Sequence, residues 1–294
     1  MIFLTGATGF VGGHLLEELR KRPEVVRCLV HRSRSPELLR GENIESVQGN
    51  VLDRASLAGP MQGVDTVIHL VAVIREKGPA TFESVNHFGT RNVVQAAREA
   101  GVARFIHMSA NGARDDPRFP YLLSKWRGEE VVRGSGLPYA ILRPSIIFGH
   151  GDEFITVLAD LIKKVPVVPI IGRGTTLLQP IWVHDMVRCL TAILDGGDRF
   201  LGRVTTIGGP QQLTYEQIVE TIISLLGVKR WRVHVPLAIM KPLVQLGELI
   251  LPYPPITSAE LTMLELDNVT ERDAVNKQFG FDPLPLREGI DYVR

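Results

Sequence analysis

The sequence predicts an α/β fold, a doubly wound parallel sheet with a smaller, interleaved C-terminal α/β lobe. Three observations predict it. Continuous apolar runs alternate with helical patterns from the first residues to about 150; a glycine-rich turn joins the first run to the first helix; and after Gly149 the alternation loosens around Pro166, Pro169, Gly172 and Gly174. Apolar strands that are each followed by a helix require a sheet covered on both faces, and right-handed crossovers then wind it doubly.

Ile2 to Leu4 reads as the first strand, and His14 to Lys21 as a helix with Leu15, Leu16 and Leu19 on one face. Val25 to Val30 and Ser46 to Gly49 read as the second and third strands, and Val67 to Val71 as the fourth. A helix around Thr90 to Ala100 leads into the fifth strand, Arg104 to Met108. A helix from Tyr121 to Arg133 leads into the sixth, Tyr139 to Leu142. Beyond Gly149 come short elements at Gln179 to Val183, Met186 to Leu194 and Val204 to Ile207, then a helix from Tyr215 to Leu226. The expected organisation is a sheet domain over 1–150, with some later segments returning to it, and mainly a substrate or partner lobe over 151–294.

The 294 residues carry 33 Lys and Arg against 32 Asp and Glu, a formal charge of +1. No segment is basic and aromatic enough for a nucleic-acid groove, so the expected partner is a small-molecule substrate. Cys28 and Cys189 sit far apart in apolar surroundings and read as two buried thiols. No His, Cys or carboxylate spacing suggests a metal site. A first strand starting at Ile2 leaves no room for a signal peptide, and no run of 18 uncharged apolar residues occurs, so a cytoplasmic protein is expected.

Gly6-Ala7-Thr8-Gly9-Phe10-Val11-Gly12 lies between the first strand and the first helix. In that context the first glycine permits a sharp turn, the second lets backbone approach a pyrophosphate, and the third lets helix pack on strand. The helix N-terminus then turns unpaired N–H groups and a positive dipole end towards phosphates. This is the signature of a Rossmann dinucleotide site, in GxxGxxG spacing. At the end of the second strand a carboxylate would select NAD(H). The sequence there is Val30-His31-Arg32-Ser33-Arg34, with two guanidinium groups shaped to take a phosphate, so NADP(H) is expected over NAD(H). A merely solvated basic loop would leave the preference open.

Tyr121-Leu122-Leu123-Ser124-Lys125 puts a phenol and an ammonium four residues apart on one helix face. The lysine's charge is expected to lower the phenol's pKa, so that Tyr121 can trade a proton with a substrate hydroxyl or carbonyl. With the glycine turn, His69-Leu70-Val71-Ala72 and Arg143-Pro144-Ser145-Ile146-Ile147-Phe148-Gly149, this pair resembles the extended and atypical short-chain dehydrogenase/reductases, including the NAD-dependent epimerase/dehydratase type. Val183-His184-Asp185 and Ile207-Gly208-Gly209-Pro210 extend the resemblance over nearly the whole chain. Ile74 to Gly78, Thr81 to Glu83, Gly89 to Asn92, His107 to Ala110 and Leu266 to Val269 are similar to one branch. That branch surrounds the nucleotide-binding accessory subunit of mitochondrial respiratory complex I and its bacterial relatives.

The resemblance implies a dinucleotide whose nicotinamide ribose meets Tyr121 and Lys125. Pro144, Ser145 and Ile146 then line its nicotinamide ring, Asn50 and Val51 its adenine, and Leu70, Val71, Ala72 and Met108 the strand ends around it. Asn50 stands where relatives often have aspartate. In Met108-Ser109-Ala110-Asn111, alanine falls where catalytic relatives often carry a second hydroxyl. Ser109 either binds the substrate oxygen, with Tyr121 and Lys125 as the catalytic set, or merely closes its strand with a local backbone bond. Two functions stay open: an NADP(H)-dependent oxidoreductase or epimerase acting on an alcohol or ketone, and a non-catalytic accessory or sensing protein linked to respiratory or quinone metabolism.

Other residues read more plainly. His69 and His107 are expected as satisfied core or rim histidines, Glu17-Glu18 and Glu129-Glu130 as solvated helix faces, and His184-Asp185 as a helix cap and packing element. Residues 233–253 are apolar on much of a helix. They either pack internally as a lid or dock on a membrane or protein partner, which would make the chain peripheral at the inner face of a membrane.

Overall fold

The computed structural model describes residues 1–31, 36–251 and 254–294. By its contacts the chain divides into two units, Met1–Arg143 with Met186–Thr206, and Pro144–Asp185 with Ile207–Arg294.

The first unit holds strands β1 (Ile2–Thr5), β2 (Val26–Val30), β3 (Ile44–Gln48), β4 (Thr66–His69), β5 (Arg104–Met108) and β6 (Tyr139–Pro144), whose last residue opens the second unit. They pair parallel in the order β3-β2-β1-β4-β5-β6, with β11 (Arg203–Ile207) outside β6. The order reverses between β1 and β4, which opens a crevice at their carboxyl ends. Strand residues alternate between faces. Phe3, Val67, Phe105 and Ile141 meet Val93, Val94 and Ala97 of helix α3 (Thr90–Glu99) and Val132 of α4 (Pro120–Arg133), with Leu57 of α2 (Ala55–Ala58). The alternate residues Leu4, Cys28, Ile68 and Ile106 are buried on the other face, as are Leu15, Leu16 and Leu19 of α1 (Phe10–Leu19). Arg22 clamps Asp195, at the end of α6 (Val183–Asp195), with two bonds of 2.6 and 2.8 Å. Both cysteines are buried thiols. Burial pushes the Cys28 thiol up to about 12, so it stays protonated.

One element was not expected. Phe82–Gly89 forms a π-helix that runs directly into α3. It is opened by Thr81, whose side chain accepts from Ser84 N while the Ser84 hydroxyl accepts from Thr81 N.

The second unit has its own core of Phe148, Ile155, Leu158, Ile162, Val168, Ile170, Ile218, Ile222 and Ile290. Its elements are β7 (Ile147–Phe148), α5 (Ile155–Lys164), β8 (Val167–Ile171), β9 (Leu177–Leu178), β10 (Ile181–Trp182), β12 (Leu213–Thr214), α7 (Tyr215–Leu226), β13 (Trp231–Val235), α8 (Leu237–Ile250), α9 (Ser258–Met263), α10 (Ala274–Phe279) and α11 (Leu286–Gly289). Three two-stranded sheets pair β10 with β7, β12 with β9 and β13 with β8. Asp185 is buried in the first turn of α6 and accepts from Leu284 N at 2.6 Å, the packing role expected of it. Ser145 donates its N–H to Ile207 O and its hydroxyl to Asn268 O.

Candidate functional site

The turn after β1 is built by steric exclusion. Gly6 takes φ +80°, and a Cβ there would lie 3.1 Å from the backbone of Leu70 and Val71 at the end of β4. A Cβ on Gly12 would lie 1.9 Å from Gly6 O, so α1 reaches this close to the turn only with glycine at that position. Gly9 caps α1 without a side-chain bond, and no acidic residue occupies the first turn. The N–H groups of that turn are thus left to an anion, over a cradle that side chains would fill. These features fit a dinucleotide diphosphate. Thr8 is exposed, Phe10 is half-buried beside His14, and Val11 is buried.

Around this turn the structure brings several expected residues together. Asn50 Oδ1 accepts from Leu52 N, and its amide donates to His31 Nε2 at 3.4 Å. Val51 is buried, with its carbonyl held by Asn92. Leu70 N donates to Thr5 O at 3.2 Å, and the following loop is fixed by Asn86, which bonds both N and O of Val73 and also Ser124 Oγ. Arg32, Ser33 and Arg34 lie outside the described residues. Pro144, Ser145 and Ile146 belong to the second unit.

Tyr121 and Lys125 stand on α4, with the Tyr121 ring edge-on to Phe82 at 5.8 Å. Lys125 is buried and donates to Met108 O at 2.7 Å. Burial lowers its pKa to about 8, against the opposing pull of Glu129. The expected depression of Tyr121 is not what the structure holds: burial pushes its phenol up to about 12. A buried phenolate loses its solvation, and the lysine four residues along the helix does not reverse that.

At Ser109 the local backbone bond that one of its two readings expects is not found among the described residues. Its N–H completes β5 against Leu142 O, while its hydroxyl is buried and bonds nothing among the described residues. It makes no local backbone bond. Ala110 beside it is buried.

Two other readings need correction. Glu129 is not a solvated helix residue: it is fully buried and takes Arg143 through two bonds of 2.7 Å and Arg133 through one of 2.6 Å. Glu130 is partly exposed and pairs with Arg133. His69 is satisfied, between Thr5 and Thr90. His107, stacked on it at 5.5 Å, is buried with neither ring nitrogen partnered among the described residues. Asn86, Thr90 and Glu129 are the site-supporting residues that sequence reasoning missed. The one available signal was for Glu129, which follows Lys125 by four residues, a spacing at which opposite charges meet. Glu129→Gln is expected to lower stability in urea by about 2 kcal/mol, because Arg143 and Arg133 lose their charged acceptor. It is also expected to drop the Lys125 pKa below its present value, read by NMR of the lysine ammonium.

Residues 2–208 match the family model described as the NAD dependent epimerase/dehydratase family. The chain is 34% identical over 192 residues to the ceramide reductase of Caulobacter vibrioides, covering 65% of this chain and 60% of that protein. It is 28% identical over 238 residues to NADH dehydrogenase [ubiquinone] 1 alpha subcomplex subunit 9, mitochondrial, of Arabidopsis thaliana, covering 79% and 59%. The chain therefore spans about three-fifths of the length of these curated relatives. Among solved structures it matches the UDP-glucuronic acid 4-epimerase of Bacillus cereus in complex with UDP-glucuronic acid and NAD, at TM-score 0.77 and 20% identity over 99% of this chain and 98% of that one. That likeness is one of fold.

Proposed function

The chain belongs to the NAD-dependent epimerase/dehydratase family, and from that membership we propose that it is an NADP(H)-binding oxidoreductase or epimerase acting on the alcohol or ketone of a medium-sized substrate. When bound, the dinucleotide supplies or takes up a hydride. The turn from Gly6 to Gly12 would hold its diphosphate on backbone N–H groups, and Lys125 its ribose. Arg32 and Arg34 would take the phosphate that distinguishes NADP(H) from NAD(H). Tyr121 gives a proton to the substrate oxygen or takes one from it, and the Ser109 hydroxyl donates a hydrogen bond to the same oxygen.

The observation that carries this reading is the Ser109 hydroxyl, buried, bare, and one residue from the carbonyl that holds Lys125. A buried hydroxyl without a partner costs stability, and a ligand oxygen would complete it. Calorimetry is expected to find tighter binding of NADPH than of NADH. Turnover is expected with at least one of a panel of ceramide-sized ketones, quinones and nucleotide sugars. Tyr121→Phe is expected to slow that turnover by roughly 10²–10⁴-fold, far more than the loss of one ribose contact weakens NADPH binding. Unaltered turnover in that variant would remove Tyr121 from the chemistry.

One observation favours a second reading. Burial pushes the phenol up to about 12 and the lysine ammonium is engaged by backbone, which supports a reading in which the pair moves no proton. A protein that keeps NADPH without using it, as an accessory or sensing component, would show stoichiometric bound nucleotide that persists across the whole panel.

A further inference from the structure

Helix α8 presents its apolar side outward. At about 100° per residue, Ile239, Leu243, Leu246 and Ile250 share one face, with Leu249 at its border. These five side chains are between 53% and 84% exposed, and Val244 is the buried residue of the helix. The charged residues turn the other way. Lys241 pairs with Glu265 at 2.9 Å, and Glu248 accepts from the N–H and hydroxyl of Ser258 at the start of α9. Lys241 and Glu248, themselves exposed, are tied to α9 and the turn after it on one side, while the large aliphatic groups face solvent on the other. Ordinary surface helices do the reverse.

The strand that leads into this helix has a second unusual feature. Trp231 is 79% exposed and pairs with the exposed Val167 of β8, and Val233 stands exposed on the same face of β13. At the start of β13, Arg230 donates to the carbonyls of Ile162 and Lys163 at the end of α5, and Trp231 pairs with Val167. These contacts bring the end of α5, with Lys163 and Lys164, beside the start of β13, with Lys229, Arg230 and Trp231. Lys163, Lys164 and Lys229 are exposed, and no described carboxylate pairs with them. Arg232 pairs with Glu220 and Glu216 of α7 and Lys241 with Glu265, so Lys229 and Arg230 are the cations that this stretch adds to Lys163 and Lys164.

The combination selects among occupants. A second copy meeting the same region would set four clustered cations against four others. A protein partner would have to supply an apolar groove for the stripe and carboxylates for the lysines together. A lipid surface suits both features, with acyl chains taking the stripe and anionic headgroups the lysines, while an exposed tryptophan sits at headgroup level. No helix among the described residues is long and apolar enough to cross a membrane, so the contact would lie in the plane of one face. We propose that α8 and the basic start of β13 form an in-plane anchor that docks the chain on an anionic phospholipid bilayer.

Density-gradient flotation of the full chain tests this, with phosphatidylcholine vesicles alone and with about 30% phosphatidylglycerol added, a fraction that gives a strongly negative surface. The chain is expected to float with the anionic vesicles and to bind the neutral ones at least about tenfold more weakly. Leu243→Glu/Leu249→Glu is expected to stay in the dense fraction, with circular dichroism and melting temperature unchanged because both positions face outward. Lys163→Glu/Lys164→Glu/Lys229→Glu is expected to weaken binding by roughly tenfold or more. Absence of flotation at either composition overturns the proposal, and so does flotation that neither variant reduces. A concentration-dependent dimer in light scattering, broken by Leu243→Glu/Leu249→Glu and unaccompanied by flotation, overturns it in favour of a second copy.

Discussion

Gly12→Ala is expected to cost about 3 kcal/mol of stability and on the order of 100-fold in NADPH affinity, while Gly13→Ala, one residue further along the same helix, stabilises. At position 12 an added Cβ would lie 1.9 Å from Gly6 O, 2.7 Å from Gly6 C and 2.9 Å from Ala7 Cα. All three are backbone atoms, so no side chain can swing aside to make room. Helix α1 has to back away from the turn, and the N–H groups at its start move with it. At position 13 a Cβ would meet nothing within 4 Å, and alanine replaces glycine in a helix interior, worth roughly 0.5–1 kcal/mol in its favour. Urea midpoints and calorimetric affinities of the two variants, measured together, separate steric exclusion at the turn from a general effect on α1. Similar behaviour of the pair would mean that close approach of helix and turn is not what Gly12 provides.

That contrast also shows which parts of the molecule could be read from its sequence. The glycine turn was legible because its demand is local: three glycines between an apolar strand and a helix leave little other geometry. The strands from Ile2 to Leu142 were legible for a similar reason, since burial on both faces produces continuous apolar runs. The π-helix from Phe82 to Gly89 was not, because Asn86 earns its place through bonds to Val73 and Ser124, far along the chain in both directions. Glu129 was misread because its partner Arg143 arrives from β6, and a Glu-Glu pair on a helix carries no mark of that. Pro169 looked like a break in the chain, yet it lies inside β8, whose sheet has two strands and so leaves one side of it unpaired. For α8 the periodicity showed that one face is apolar and could not say on which side the protein lies. Arg32 and Arg34, the residues behind the NADP(H) reading, rest on the sequence and on the binding experiment.

Acid is expected to destabilise the protein steeply below pH 6.5, through two histidines that the fold keeps neutral. The Thr90 hydroxyl donates to Asn86 O, so it can only accept from His69, which places the proton of His69 on Nε2. Nδ1 then accepts from the Thr5 hydroxyl, and both ring positions are used in the neutral form. Burial, and after it the charge of Lys125, pushes the His69 pKa down to about 3. His107, stacked beside it, is held well below the usual range by burial, then by Lys125 and His69. Unfolded, both rings take up a proton near pH 6.5. Below that point, down to about pH 3 for His69, the unfolded chain therefore binds more protons, so this contribution is fully present above 6.5 and is lost as pH falls. Each histidine contributes a slope that is about half of 1.4 kcal/mol per pH unit near pH 6.5 and approaches about 1.4 below about pH 5.5, or roughly 3 kcal/mol per unit for the pair there. Urea unfolding at pH 7, 6 and 5 measures it. Carboxylates add to the slope in any variant, so the informative quantity is a difference. His107→Leu is expected to remove about 1.4 kcal/mol per pH unit from the slope, and to cost nothing at pH 7 because two unpartnered ring nitrogens leave the core with it. A slope identical to that of the parent chain would show that His107 takes up its proton in the folded state as readily as in the unfolded one.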